Sequence, residues 1–206
     1  MTEKRYFFAI RYLPADVDCG LLAGRCISTL HGFGYAHPRA QIGVAFPEWS
    51  DTGFGRSIAF VSPNKLILEQ FRERAYFQLM QADNIFLLSL VLDTPDACQN
   101  VRFIRNQSLA KLFVGERKRR LARAKRRAEA RGEAFLPYIA VESREVGIFH
   151  SALMQSASNG HSYVLYIQKH QYDKNQSFDY SSYGLASNEL YMGNVPDLGA
   201  IISTLF

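Results

Sequence analysis

Ile42-Gly-Val-Ala-Phe-Pro47, followed ten residues later by Ser57-Ile-Ala-Phe-Val-Ser-Pro63, decides the fold. Each is a short apolar run closed by a proline, which reads as a strand, and no helical period separates the two. Working outward, Ser62 and Pro63 read as the cap and first turn of a helix whose apolar face uses Leu66, Ile67, Phe71 and Ala75. Ile85 to Leu92 then reads as one continuous apolar strand. On the other side, Tyr6-Phe-Phe-Ala-Ile-Arg-Tyr12 before Pro14 is a strand. Asp16 or Asp18 caps a helix with Leu21, Leu22, Cys26, Ile27 and Leu30 on one face, ending at His31 before a turn through Gly32, Gly34 and Pro38. The order β-α-β-β-α-β is the split βαβ, or ferredoxin-like, plan.

Asp93-Thr-Pro-Asp96 reads as a linker, which divides the chain into 1–95 and 96–206. The second part opens with a strand from Val101 to Gln107, enters a basic helix over about 116–131 and stops it at Gly132. Tyr163 to Ile167 is a further strand, and Ser181-Ser-Tyr-Gly-Leu-Ala186 a short one. The expected class is α+β, with a ferredoxin-like N-terminal domain and a C-terminal α+β domain carrying the basic helix. No internal repeat is visible.

Nine Lys and Arg crowd into residues 116–131 against Glu116 and Glu129, so this segment carries +7 while the whole chain of 206 residues carries +5. The remaining residues therefore sum to −2. Basicity is one device on a near-neutral body, which points to a polyanionic partner. Seven of the nine are Arg, which binds phosphate in bidentate fashion and stacks on bases. Arg119, Arg120, Arg123, Arg126, Arg127 and Arg131 recur three and four residues apart and form one broad stripe along a helix. Leu121, Ala122, Ala124, Ala128 and Ala130 offer a core almost nothing. Like charges at that spacing destabilise a lone helix by a few tenths of a kcal/mol per pair, a cost that a phosphate ladder would offset. A solvated charged helix, or a patch for an acidic protein, is the plainer reading.

Cys19, Cys26 and Cys98 show neither CxxC spacing nor a His partner, and an odd count without a framework fits a reducing cytoplasm. No apolar run reaches the roughly 18 residues of a membrane span, and no signal peptide opens the chain. The five histidines (His31, His37, His150, His161 and His170) form no HExxH, and glycine-rich phosphate loops are absent. No metal or cofactor is expected. If the chain cleaves RNA, the economical route is attack by the substrate's own 2′-hydroxyl, with a histidine moving the proton. His31 is the best placed, at a helix end whose carbonyls favour a cation and beside glycines that keep it exposed. Ser156-Ala-Ser158-Asn-Gly160 could supply hydroxyls, although such clusters are more often turns.

Three blocks occur together in order: Thr29-Leu-His-Gly32 with Ile42-Gly-Val-Ala-Phe-Pro47, Arg105-Asn-Gln-Ser108 before the arginine helix, and Ser181-Ser-Tyr-Gly-Leu185. This set resembles the repeat-processing endoribonucleases of type I-F CRISPR systems, the Csy family. His31-Gly-Phe-Gly-Tyr35 and Phe46-Pro-Glu-Trp49 are similar to the branch carried by CRISPR-linked transposons. The resemblance implies cleavage of precursor CRISPR RNA on the 3′ side of the repeat hairpin, without metal, leaving a 2′,3′-cyclic phosphate. It further implies that the protein stays on the hairpin as a subunit of a Cascade-type effector complex beside its backbone subunits. For the transposon branch, a transposition adaptor would be another partner. His31 matches the catalytic histidine, Ser156 the serine that orients the ribose (Ser158 and Ser151 are its substitutes), and Tyr183 the tyrosine that positions the histidine. Arg105 and Gln107 match the pair that reads base edges, and Tyr163 an aromatic that stacks at the foot of the stem. Arg119, Arg120 and Arg123 match the arginines of the groove-docking helix, and Arg126 and Arg127 continue the same stripe as further RNA-binding candidates. Two other readings stand beside this one: a hairpin-binding subunit that does not cleave, and a DNA-binding protein using the same helix. The chain past Asn194 is longer than the family pattern, as a packing arm or a closing strand.

Overall fold

The computed structural model describes residues 3–95, 98–135, 146–155, 160–172 and 175–206. In the first sheet β1 (Tyr6–Tyr12) is central. It pairs antiparallel with β3 (Ser57–Ser62) on one side and with β4 (Phe86–Leu88) and β5 (Leu92–Asp93) on the other. The outer strand β2 (Gly43–Ala45) pairs with β3. The order is β2-β3-β1-β4, with α1 (Cys19–Ala36) between β1 and β2, and α2 (Lys65–Arg72) and α3 (Ala75–Ala82) between β3 and β4. This is the ferredoxin-like connectivity expected from the two consecutive strands. All six residues of β3 are buried, as befits an inner strand. Phe8, Phe60, Phe71 and Phe77 pack with ring centroids between 4.8 and 6.2 Å, mostly tilted or edge-on, which suits aromatic quadrupoles.

Four local expectations are corrected. The second helix starts later than Ser62: Asn64 is its cap, accepting from Ile67 N at 3.2 Å, and Ser62 Oγ instead accepts from Asn64 N. That helix is two, broken at Glu73 and Arg74, so Ala75 opens α3 and Leu66 is 69% exposed, while Leu68 takes the inward position. The strand Ile85–Leu92 is interrupted. Leu88 faces Ile10 and Leu92 faces Phe7, so four residues span what three span on β1, a bulge. Ser89 fills it, with its Oγ accepting from Ala9 N and its own N–H donating to Ala9 O, both at 2.9 Å. Finally, α1 does not stop at His31 but runs through Gly32 and Gly34 to Ala36. Phe33, buried to 3% and packed on Phe71 at 5.1 Å, outweighs the poor propensity of its glycine neighbours.

The second sheet has the order β7-β8-β6-β9, from β6 (Asn100–Arg105), β7 (His150–Gln155), β8 (Ser162–Gln171) and β9 (Val195–Pro196), all antiparallel. The expected strand to Gln107 ends at Arg105, because Gln107–Leu112 is a 3-10 turn capped by Asn106, whose Oδ1 accepts from Ser108 N and Oγ. The basic helix α4 spans Val114–Arg131. It closes on Gly132 in the left-handed region (φ 70°), whose N–H donates back to Glu129 O, with Glu133 N donating to Ala128 O. Ala128 is buried after all, whereas Ala122, Ala124 and Ala130 are exposed. Ahead of the helix, Phe113 stacks on Tyr166 of β8 at 5.2 Å. Beyond Asn194 the chain adds β9 against β6 and then α5 (Gly199–Leu205), which buries Ile202.

Both sheets share α1. Its Cys26, Ile27 and Leu30 belong to the same buried cluster as Phe8 and Phe60 on one side and Ala152, Met154 and Leu165 on the other. Gly24 meets the backbone of Leu153 so closely that a Cβ there would lie 1.9 Å from the Leu153 carbonyl oxygen.

Candidate active site

His31 stands on the exposed side of α1, one turn beyond the contacts that fix the helix on β7. Because α1 continues past it, His31 is not at a helix end, and the terminal-dipole reason for singling it out falls away. What singles it out in space is its company. The ring lies flat on Tyr183, with centroids 4.7 Å apart and planes at 15°. Nδ1 is 3.4 Å from the carbonyl oxygen of Ser182, and Nε2 is 3.3 Å from the hydroxyl of Tyr35. A carbonyl can only accept, so Nδ1 carries the proton and Nε2 of the neutral ring keeps its lone pair.

Tyr183 is placed by a tight turn, not by the strand expected at Ser181–Ala186. Gly184 N donates to Ser181 O at 2.8 Å, and both the N–H and the Oγ of Ser181 donate to Leu185 O. Gly184 has φ 71°, and a Cβ there would lie 2.6 Å from Leu30 and 2.7 Å from Val44, so glycine is required twice over. Its carbonyl accepts from Val44 N at 2.8 Å. The Ile42-Gly-Val-Ala block and the Ser-Tyr-Gly-Leu block thus interlock, and the turn presses Tyr183 onto His31.

Arg105 and Gln107 reach the same place. The Arg105 guanidinium lies over the Tyr183 ring at 4.9 Å. With the Gln107 amide turned to suit both groups, its Oε1 accepts from Arg105 Nε at 3.1 Å and Nη2 at 2.8 Å. Asn106 between them is structural, capping the turn and donating to Gln168 Oε1 at 2.8 Å. Tyr163 on β8 places its hydroxyl 3.1 Å from that of Tyr183, and burial together with this hydrogen bond pushes its phenol up to about 12. His31, Tyr183, Tyr163, Arg105 and Gln107 are therefore gathered from four separate stretches of chain.

Arg119, Arg120, Arg123, Arg126 and Arg127 are all exposed on α4. Lys125 pairs with Glu129 at 3.8 Å and Arg131 with Glu133 at 2.9 Å, both at the surface, where such pairs contribute little. Ser156 and its substitute Ser158 lie outside the described residues. Ser151, the other substitute, is on β7, where its carbonyl oxygen would be 2.6 Å from a Cβ at Gly20, close to the start of α1 and away from His31. Among the described residues no group of three or more His, Cys, Asp or Glu could hold a metal ion, and no helix is long and apolar enough to cross a membrane. A polar cleft of about 900 Å³ is lined by Glu3, Gln41, Ser177, Asp179 and Tyr180 among others. Its described lining holds two acids and no Lys or Arg, the wrong sign for a phosphate backbone. Two contributors escaped the sequence reading, Tyr35 and the Ser182 carbonyl. The first was legible as i+4 from His31, had the helix been carried through its glycines.

A family model described as CRISPR-associated protein (Cas_Csy4) matches residues 7–197. No curated protein matches the chain.

Proposed function

As a member of the Cas_Csy4 family of CRISPR repeat-processing endoribonucleases, this chain, we propose, cuts precursor CRISPR RNA on the 3′ side of the repeat hairpin by a metal-independent route. The 2′-hydroxyl upstream of the scissile phosphate gives its proton to Nε2 of His31 and attacks phosphorus, leaving a 2′,3′-cyclic phosphate and a 5′-hydroxyl. The observation that carries this reading is the His31–Tyr183 stack with Nδ1 on a carbonyl, which fixes the ring and aims an unprotonated nitrogen outward. Tyr183 holds the ring, and Ser156 is retained as the group that orients the ribose.

Binding falls to α4 and to the second sheet. A-form RNA has a deep, narrow major groove that resists reading of bases but offers phosphates to an arginine helix. Arg119, Arg120, Arg123, Arg126 and Arg127 take that part. Arg105 and Gln107 read base edges at the foot of the stem, which requires them to let go of each other. The processed hairpin stays bound, and the protein serves as a single-turnover subunit of a Cascade-type complex. The transposon-linked branch, with a transposition adaptor as partner, belongs to the same proposal and rests on the His31–Tyr35 and Phe46–Trp49 blocks.

The test is incubation with an end-labelled repeat hairpin in EDTA, with analysis of the fragment ends. One cut just 3′ of the stem, ending in a cyclic phosphate and blocked by a 2′-deoxy sugar at the attacking position, is expected. Tight binding without a cut would instead favour a hairpin-binding subunit, and equal affinity for duplex DNA would overturn both.

Two further results are expected. Replacing Arg120 and Arg123 together weakens hairpin binding and lowers the slope of log affinity against log salt by about two. An unchanged slope would mean that neither side chain meets the phosphate backbone. At Tyr163, Phe keeps the ring and loses only the bond to Tyr183, so hairpin affinity holds. Ala removes the platform and costs about 1–3 kcal/mol of binding. Equal losses in Phe and Ala would assign the effect to the hydroxyl.

A further inference from the structure

Cleavage by 2′-hydroxyl attack moves two protons: one leaves the nucleophile, and one must reach the departing 5′-oxygen. His31 can accept the first, and the proposed site names no donor for the second. His37 is stacked on Phe33 at 4.2 Å and His150 donates to Ser50 O at 2.7 Å, so neither shares the contacts of His31. The hydroxyls of Tyr163 and Tyr183 share one hydrogen bond at 3.1 Å, while the ring nitrogens of His31 face Ser182 O and the Tyr35 hydroxyl instead.

Tyr35 is different. It stands one turn after His31 on α1, where i and i+4 side chains meet. Its ring is edge-on to the imidazole with centroids 5.1 Å apart, and its hydroxyl is 3.3 Å from Nε2. Since Nδ1 holds the ring proton against Ser182 O, it is the Tyr35 hydroxyl that donates in this contact. The side chain is 79% exposed, so nothing in the packing requires an aromatic there and the ring is free to turn toward bound RNA. Phenols stay protonated through neutral pH, which makes them available as acids.

Resting on the nuclease reading above, we propose that Tyr35 is the general acid of this site. In the RNA-free protein its hydroxyl occupies the place on Nε2 that the ribose 2′-hydroxyl takes over when substrate binds. As the bond from 2′-oxygen to phosphorus forms and the bond from phosphorus to 5′-oxygen breaks, Nε2 takes the 2′-hydroxyl proton and Tyr35 gives its own to the 5′-oxygen. The imidazolium then returns a proton from Nε2 to the phenolate across the contact seen here. Protons balance, and one histidine with its neighbour serves both ends of the reaction.

The test compares two hairpin RNAs under single-turnover conditions in EDTA, one natural and one with sulfur in place of the bridging 5′-oxygen at the cut. A thiolate leaves without protonation, so the sulfur substrate does not need the acid. Tyr35→Phe is expected to cut the natural RNA about 10²-fold more slowly, to cut the sulfur RNA at close to the wild-type rate, and to bind the hairpin with unchanged affinity. Equal slowing on both RNAs, or no slowing on the natural one, would overturn the assignment. A wild-type protein that cuts neither RNA would overturn the nuclease reading itself.

Discussion

His31→Ala is expected to abolish hairpin cleavage while leaving hairpin affinity within about twofold of wild type. The two effects separate because they live on different elements. The ring of His31 contacts Tyr183, Tyr35 and the Ser182 carbonyl, whereas the cations proposed to meet RNA are on α4 and at the end of β6. A positioned general base is worth about 10²–10⁴ in rate, so single-turnover cleavage should fall by at least a hundredfold. Measured beside it, the dissociation constant decides the interpretation. A tenfold loss of binding would show that His31 supports the RNA-bound form of the protein, and persistent cleavage would move the proton transfer to another group.

The second large effect is on stability, and its sign changes along one helix. Gly24, Gly32 and Gly34 all lie in α1, where alanine is favoured over glycine by about 1 kcal/mol. At Gly32 and Gly34 a Cβ would meet nothing within 4 Å, so each Gly→Ala change should stabilise by about 0.4–1 kcal/mol. At Gly24 the Cβ would sit 1.9 Å from Leu153 O and 2.8 Å from its carbonyl carbon. Those are backbone atoms of a strand paired along its whole length, so they cannot swing aside as a side chain could. Overpacking of this kind costs about 3 kcal/mol or more, which outweighs the propensity gain. Thermal unfolding should then show Gly24→Ala melting lower by about 6–12 °C and the other two melting slightly higher. Should Gly24→Ala melt with or above wild type, α1 does not ride directly on β7.

The ferredoxin-like half was legible because its strands are short, apolar and punctuated by proline, and two of them in succession admit few other plans. Misreadings cluster where a tertiary contact overrules a local signal. Gly32 and Gly34 say stop, yet Phe33 between them is buried against Phe71 and carries the helix another turn. Ile85–Leu92 is apolar but for Ser89, and that one serine inserts a bulge because β1 offers it backbone partners. Ser181–Ala186 has the composition of a strand, but the left-handed Gly184 makes it a turn. β7 escaped notice because its inward residues, Ala152 and Met154, are small or flexible and the residue between them, Leu153, is an exposed apolar side chain that blurs the alternation. The site was legible as a set of residue types. Its connections were not, since the stacking of His31, Tyr183 and Arg105 joins segments more than seventy residues apart and leaves no periodic trace.

The charge imbalance between α4 and the rest of the molecule bears on timing as well as affinity. A segment of +7 on a body of −2 gives the molecule a strong dipole. An approaching RNA hairpin would feel a torque before it feels a contact, so collisions become pre-oriented with the cationic face leading. Such steering raises capture rates by about 10–10³-fold at low ionic strength and fades as salt is added. Under the proposed single-turnover reading, fast release would bring no gain. Finding each nascent hairpin quickly would bring a large one, and placing more than the whole net positive charge on one helix would serve that search.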